Sequence, residues 1–431
     1  MRNSDSLLPW AGPSRIAVMP FSHLDYLECS AGCTERYYAD KVNGLCRCEA
    51  PLFARYRLNA VKASVTREMI AARPPSLWRY HELLPVRDPG RVVSLGEGMT
   101  PLLPLPGFGK KAGVPRLLVK DEGLIPTGTF KARGAAVGIS RAVELGVRGI
   151  AMSTNGNAGA AWSAYAARAG IRSLIAMPED APDITRRECV VTGAELYLVR
   201  GQIGDAGGII TAAVAESAGT LADVSTLKEP YRLEGKKTMG YEIAEQLGWR
   251  CPDVIVYPTG GGVGLIGVYK ALLELSALGW ISGPLPRLAA VQATGCAPVV
   301  DAFARRRQDT VAWADARTVA FGITVPKPLG DFLILDALYQ TEGTAVAVTD
   351  EMLLQDLSAC AELDGIFVCP EGAAAISAVR VLRESGWLSE SDEVVVLNTG
   401  AGLKYAGIVQ ASVPVLDPGD RISPGGDRDG C

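Results

Sequence analysis

One lysine and three glycine-rich turns hold the chemistry available to this chain of 431 residues. Lys131 lies in the run Pro126-Thr127-Gly128-Thr129-Phe130-Lys131-Ala132-Arg133-Gly134, at the predicted start of a helix and among apolar neighbours. A desolvated lysine has a lowered pKa and attacks aldehydes; the alternative is an ordinary surface lysine. The second turn, Pro258-Thr259-Gly260-Gly261-Gly262-Val263-Gly264, follows a predicted strand and opens a predicted helix. Without Cβ atoms its backbone N–H groups can converge, and the helix adds its positive end. Gly260, Gly261, Gly262, Val263 and Gly264 thus form a nest suited to phosphate, or else a tight turn with no ligand. The run lacks the Lys-Ser/Thr pair of a P-loop and the G-x-G-x-x-G spacing of a dinucleotide site. The third turn, Ser153-Thr154-Asn155-Gly156-Asn157-Ala158-Gly159, offers hydroxyls and amides. An amine, a phosphate nest and a polar turn are the parts that an aldehyde cofactor with a phosphate tail requires. The two histidines, His23 and His81, lie outside these turns, which counts against a catalytic histidine or a multi-histidine metal site.

The elements that must position these groups alternate in type. Predicted strands at Val147–Met152, Ser173–Met177 and Glu195–Val199 are followed by predicted helices at Asn157–Ala169, Pro182–Thr192 and Ala206–Ser217. Val254–Tyr257 leads through the glycine nest into a helix at Val263–Leu275, and Glu393–Leu397 leads into another glycine turn. Such alternation predicts an α/β fold with parallel sheets covered on both faces. The expected organisation is a large domain from 86–142 and 223–416, a small inserted α/β domain at 143–222, and a disordered Gly/Pro/Asp-rich tail at 417–431. Residues 1–85 form a separate loop-rich appendage with a helix from Glu68 followed by a linker near Pro74 and Pro75. The segment Thr318–Thr341 is expected to cover the mouth of the site, with Lys327 either facing substrate or lying solvated in a loop.

Composition narrows the classes. Charged residues make up 21% and hydrophobic residues 48%, with a net charge of −4, so no basic field invites nucleic acid. No apolar run is long enough to span a membrane, and the N-terminus lacks the pattern of a secretory signal, so a cytoplasmic location is expected. The ten cysteines do not form a disulfide framework. Cys29, Cys33, Cys46 and Cys48 have a C-x3-C-x12-C-x-C spacing; four thiolates can close a structural zinc site, and the alternative is plain thiols. Cys189, Cys296 and Cys369 lie in apolar runs and read as small core residues.

Six motifs, in order, resemble pyridoxal-phosphate enzymes of the tryptophan-synthase-β fold type, and most closely the threonine synthase family. They are Ser94-Leu95-Gly96-Glu97-Gly98-Met99-Thr100-Pro101-Leu102, the Lys131 segment, the Asn155–Gly159 turn with Tyr165-Ala166-Ala167-Arg168-Ala169-Gly170, Pro230-Tyr231-Arg232-Leu233-Glu234-Gly235-Lys236-Lys237-Thr238, the glycine nest, and Leu397-Asn398-Thr399-Gly400-Ala401-Gly402-Leu403-Lys404. The resemblance spans about residues 92–405. It implies two three-layer αβα domains with mostly parallel twisted sheets, the fold type II of pyridoxal 5′-phosphate enzymes, and the cysteine-bearing start is similar to a degenerate ribbon carried by some members. By the same resemblance Lys131 holds the cofactor as a Schiff base, Phe130 lies beside its ring, Asn157 bonds its 3-hydroxyl oxygen, the glycine nest takes its phosphate and Thr399 meets its pyridine nitrogen. Thr154, Asn155 and neighbouring amides such as that of Ala158 hold the substrate α-carboxylate. Arg232 is the candidate for a substrate phosphate, or else it makes an ion pair with a neighbour such as Glu234. The implied reaction is a lyase converting O-phosphohomoserine and water to threonine and phosphate, in a homodimer acting on a small amino-acid substrate.

Two departures keep a second reading open. The run Lys131-Ala132-Arg133-Gly134 also resembles amino-acid dehydratases of the same fold, and Lys228 and Glu229 stand where threonine synthases often carry asparagines. The alternative is a serine/threonine dehydratase or a β- or γ-replacement synthase with the same cofactor.

Overall fold

The computed structural model describes residues 20–410 and 412–422. The chain begins with a three-stranded antiparallel sheet, β1 (Leu24–Cys29), β2 (Arg36–Tyr38) and β3 (Leu52–Tyr56), in the order β2-β1-β3. In β3 buried and half-buried residues alternate, as one packed face requires. Leu27 and Ala54 of this sheet share a hydrophobic cluster with Leu265, Leu272 and Leu275. The sheet is therefore welded to the body behind it. The expected helix from Glu68 is present but short, Arg67–Ala71, capped by the Thr66 side chain; an irregular stretch with Pro74 and Pro75 exposed follows, and Leu77, Tyr80, Leu83 and Leu84 beyond it are buried. Their apolar spacing closes the core where the prolines had pointed to a spacer.

After β4 (Leu102–Pro104) and β5 (Leu117–Asp121) comes the helix Lys131–Glu144. The chain then builds a parallel sheet from β6 (Gly149–Ser153), β7 (Arg172–Pro178), β8 (Glu195–Val199) and β9 (Ala222–Asp223), ordered β8-β7-β6-β9. It returns through the helix Arg232–Gln246 to β10 (Val254–Pro258), the helix Val263–Leu278, β11 (Arg287–Ala293), β12 (Thr344–Val348), the helix Pro370–Glu384 and β13 (Val394–Asn398). The larger sheet runs β12-β11-β10-β13-β5-β4 and is parallel except for the edge strand β4. Every residue of β6, β10 and β13 is buried, which is why these strands read as unbroken apolar runs: helices cover both faces. Predicted strands at 147–152, 173–177, 195–199, 254–257 and 393–397 coincide with β6, β7, β8, β10 and β13 to within two residues. Of the tail, 417–422 are exposed and carry no helix or strand, and 423–431 lie outside the described residues.

Two helices set the lysine in place. Lys131–Glu144 and Arg232–Gln246 cross so closely that a Cβ added at Gly235 would lie 2.0 Å from the Arg133 carbonyl oxygen. The crossing is locked by charge. Arg133 reaches Glu122 at 2.6 Å and Glu242 at 2.5 Å, and Lys120 reaches Glu242 at 2.7 Å, with all four side chains wholly buried. On another face of the same helix Lys237 meets Glu234 at 2.6 Å and lies over the ring of Tyr56 in the N-terminal sheet.

Candidate active site

A cavity of about 490 Å³ lies at the carboxyl ends of both parallel sheets, the place where open α/β sheets bind ligands. β6 ends at Ser153 and its turn opens the helix Asn157–Ala169; β10 ends at Pro258 before the glycine run; β13 ends at Asn398, one residue before Thr399. Every residue expected to hold the cofactor or the substrate lines this one cavity.

Lys131 stands at the first turn of its helix with its Nζ 4.2 Å from the centroid of the Phe130 ring. Burial, and then the Arg232 guanidinium, pull its amine down from the usual 10.5 to about 8. The amine is still mostly protonated at pH 7, but its neutral form, which attacks a carbonyl, is far more populated than in an ordinary lysine. Asn157 donates from Nδ2 to the Tyr405 hydroxyl at 2.6 Å, while its Oδ1 is buried without a partner. The Tyr257 hydroxyl is also buried and unpartnered. In the nest, a Cβ at Gly262, where φ is 74°, would meet Ile334 at 2.2 Å, and one at Gly264 would meet the Tyr257 oxygen at 1.7 Å, so only glycine leaves the backbone open to an anion. An attacking amine, a buried amide oxygen without a partner and a bare-backbone nest at a helix N-terminus fit pyridoxal phosphate: its aldehyde, its ring hydroxyl as donor and its phosphate, respectively.

Comparison with known proteins decides the family. Residues 93–400 match the family model described as pyridoxal-phosphate dependent enzyme. The threonine synthase of Methanocaldococcus jannaschii is 35% identical over 373 residues, covering 86% of this chain and 91% of that protein. The threonine synthase of Methanosarcina acetivorans is 35% identical over 386 residues, covering 89% and 92%. This chain belongs to the threonine synthase family of pyridoxal-phosphate dependent enzymes. Its fold is also that of maize serine racemase, with a TM-score of 0.61 at 21% identity over 72% of this chain and 91% of that one, and of diaminopropionate ammonia lyase from Escherichia coli, with 0.62 at 18% over 73% and 87%. As a family member the chain is a pyridoxal-phosphate dependent lyase.

Within this threonine synthase fold several expected groups have defined partners. The Thr154 hydroxyl accepts from the backbone of Gly156 at 3.0 Å and Gly159 at 3.3 Å, which shapes the turn. Asn155 donates to the Thr324 carbonyl at 2.9 Å and ties that turn to the 318–341 segment. Phe321, Ile323, Val325 and Leu329 of the segment line the cavity. Arg232 is 2% exposed, and the ion pair expected with Glu234 is corrected: its partner is Glu229, 3.1 Å from Nε, and Glu234 instead joins Lys237 and Lys270. Glu229 also accepts from the backbone N–H groups of Tyr231 and Arg232, so it caps the helix start. Lys327 lines the cavity and is neither free toward substrate nor solvated without partner, because Asp331 holds it at 2.5 Å and the Thr310 carbonyl at 2.6 Å. Cys369 is buried as expected, yet it also lines the cavity, and burial pushes its thiol well up.

Cavity residues that escaped the sequence reading include Tyr257, Lys236, Glu371 and Tyr405. Tyr405 donates to Glu371 at 3.2 Å, and Glu371 accepts from Gly322 at 2.6 Å. No local pattern marks any of these four: β10 is buried throughout, and so is the helix Arg232–Gln246 from Arg232 to Ala244.

Away from the cavity the four N-terminal cysteines converge. Their sulfurs all lie within 4.8 Å of one another, with Cys29–Cys48 and Cys33–Cys46 at 3.4 Å and Cys33–Cys48 at 3.8 Å. Tetrahedral zinc with Zn–S of about 2.3 Å requires sulfur separations of about 3.8 Å. The backbone N–H of Cys48, and then the Tyr37 hydroxyl, hold the Cys46 thiol down to about 6. Among the described residues no helix is long and apolar enough to cross a membrane.

Proposed function

We propose that the chain converts O-phosphohomoserine and water to threonine and inorganic phosphate. The observation that supports this most is the presence of two candidate anion-binding places in one cavity: the glycine nest for the cofactor phosphate, and Arg232, on a neighbouring helix, for a phosphate carried by the substrate. The names of the relatives at 35% identity point the same way.

Pyridoxal phosphate, when bound, supplies the electron sink that stabilises negative charge at the substrate Cα. Lys131 is the base that takes the Cα proton and returns protons at the neighbouring carbons; its lowered basicity suits that work near neutral pH. Asn157, steadied by Tyr405, orients the ring through its free amide end. The turn from Thr154 to Ala158, at a helix N-terminus, receives the α-carboxylate. Thr399 offers the ring nitrogen a neutral hydroxyl, which holds the sink weak and favours elimination and replacement over transamination. Arg232 grips the leaving phosphate.

The Glu229–Arg232 pair favours a second reading, because it spends part of the Arg232 charge. That reading is a serine/threonine dehydratase or a replacement synthase acting on an unphosphorylated amino acid. Incubation with O-phosphohomoserine and, separately, with threonine or serine separates the two. Release of phosphate and threonine supports the first; a 2-oxo acid and ammonia from the free amino acid, without phosphate release, overturns it.

We further propose one structural zinc ion on Cys29, Cys33, Cys46 and Cys48. Metal analysis of the purified chain finds one zinc per chain if this holds, and a metal-free protein of unchanged stability refutes it.

A further inference from the structure

The helix Arg232–Gln246 places a second amine in the cavity. Lys236 is 4% exposed, lines the cavity wall, and has its Nζ 4.4 Å from the centroid of the same Phe130 ring that Lys131 faces. It follows Arg232 by four residues, so the two side chains share one helix face. Its stem runs over Gly134, where an added Cβ would come within 3.2 Å of its Cε.

Neighbouring lysines have carboxylates: Lys237 and Lys270 have Glu234, Lys228 has Asp223 at 3.0 Å, and Lys327 has Asp331. Lys236 makes no ion pair and no hydrogen bond among the described residues. Its charged neighbours are Lys131, Arg232 and Glu229, and Glu229 is already committed to Arg232 and to the helix cap. An amine that lines the cavity with no protein partner is available to a ligand there.

We infer that Lys236 and Arg232 together form one seat for a dianionic phosphate group on the substrate, with Lys236 supplying the positive charge that Glu229 removes from Arg232. The inference deepens the proposed function and rests on it for the identity of the substrate. Arg232 spends its Nε–H on Glu229, one Nη on the Val224 carbonyl and the other on the Thr226 hydroxyl at 3.4 Å, which leaves one N–H on each Nη without a partner among the described residues. Burial, then Lys131 and Arg232, hold the Lys236 amine well below its usual range. That shift favours its neutral form in the empty cavity, and an arriving dianion favours its charged form. Binding takes up a proton from solvent.

The experiment uses the cofactor-loaded enzyme, so that the glycine nest is filled, and inorganic phosphate as the probe. Calorimetric titration at pH 8 in two buffers of different ionisation heat reads the protons taken up. The wild type takes up protons as phosphate binds. Lys236→Arg, permanently charged, keeps the affinity to within about threefold and loses the uptake. Lys236→Gln weakens phosphate binding about tenfold, and the accompanying loss with O-phosphohomoserine falls on KM, since about 1.4 kcal/mol of a charged contact is removed. Cofactor absorbance identical to wild type shows that both variants hold their fold. Unaltered phosphate affinity and proton uptake in Lys236→Gln overturn the inference. If the wild type releases no phosphate from O-phosphohomoserine but still shows uptake that Lys236→Arg loses, the seat stands and the proposed substrate falls.

Discussion

Lys120 Nζ and Glu242 Oε2 meet at 2.7 Å with both side chains wholly out of solvent. One comes from a strand of the large sheet and the other from the helix that walls the cavity, and Arg133, two residues after Lys131, completes the pair from a third element. This cluster ties the first turn of the helix that opens at Lys131 to the large sheet and to the helix Arg232–Gln246.

Removing one member leaves buried charge without a partner. Arg133→Met or Glu242→Gln is expected to cost about 3–5 kcal/mol of unfolding free energy, read as a shift of the urea midpoint with an unchanged slope.

The same cluster sets an acid limit. Burial alone would raise Glu242, yet Arg133 and Lys120 hold it down from 4.5 to about 2, and Lys237 and Lys270 do the same for Glu274. A carboxyl depressed in the folded state stabilises above its unfolded pKa, and that stabilisation is lost as pH falls toward the folded value. Stability should decline between about pH 4.5 and pH 2, and Glu274→Gln should flatten the decline; circular dichroism at fixed urea reads it.

The Lys131 amine, lowered to about 8, should react with added pyridoxal phosphate at a rate that climbs as pH passes through 8 and levels above it. An unperturbed lysine would keep climbing toward 10.5. Lys131→Ala should remove the imine absorbance and lower turnover by about 10²–10⁴-fold through loss of the base alone.

Tyr405→Phe removes the hydroxyl that accepts from Asn157. A single neutral hydrogen bond is worth about 0.5–1.5 kcal/mol, so cofactor affinity should fall roughly two- to tenfold, read by equilibrium dialysis, with the fold intact.

The crossing of the two helices tolerates no Cβ at Gly235. Gly235→Ala should destabilise by about 1–3 kcal/mol through overpacking and reduce activity by displacing Lys131; thermal unfolding beside turnover measures both.

Much of the site could be read from the chain because its groups sit in short runs: Phe130 precedes Lys131, the nest occupies consecutive glycines, and Asn157 opens its own helix. β10 and β13 could be read for a related reason, burial on both faces. β5 could not, because Lys120 and Asp121 interrupt its apolar run, and their burial depends on Glu242 and Asn398, which are more than a hundred residues away. β11 was hidden by its alanines, which signal helix as readily as strand. Tyr405 stays silent until folding brings it across 248 residues to Asn157. The N-terminal sheet was missed because its strands are short and its cysteines drew the eye to turns.

The rod from Arg232 to Gln246 serves three clients at once: the cavity, the buried cluster beneath it and the N-terminal sheet. A change that suits one client disturbs the other two, so this wall is frozen. Divergence toward new substrates has to be written on the facing side, in the turn after β6 and the loop around Phe321, which are tied to each other through Asn155 and Thr324 and not to the buried cluster.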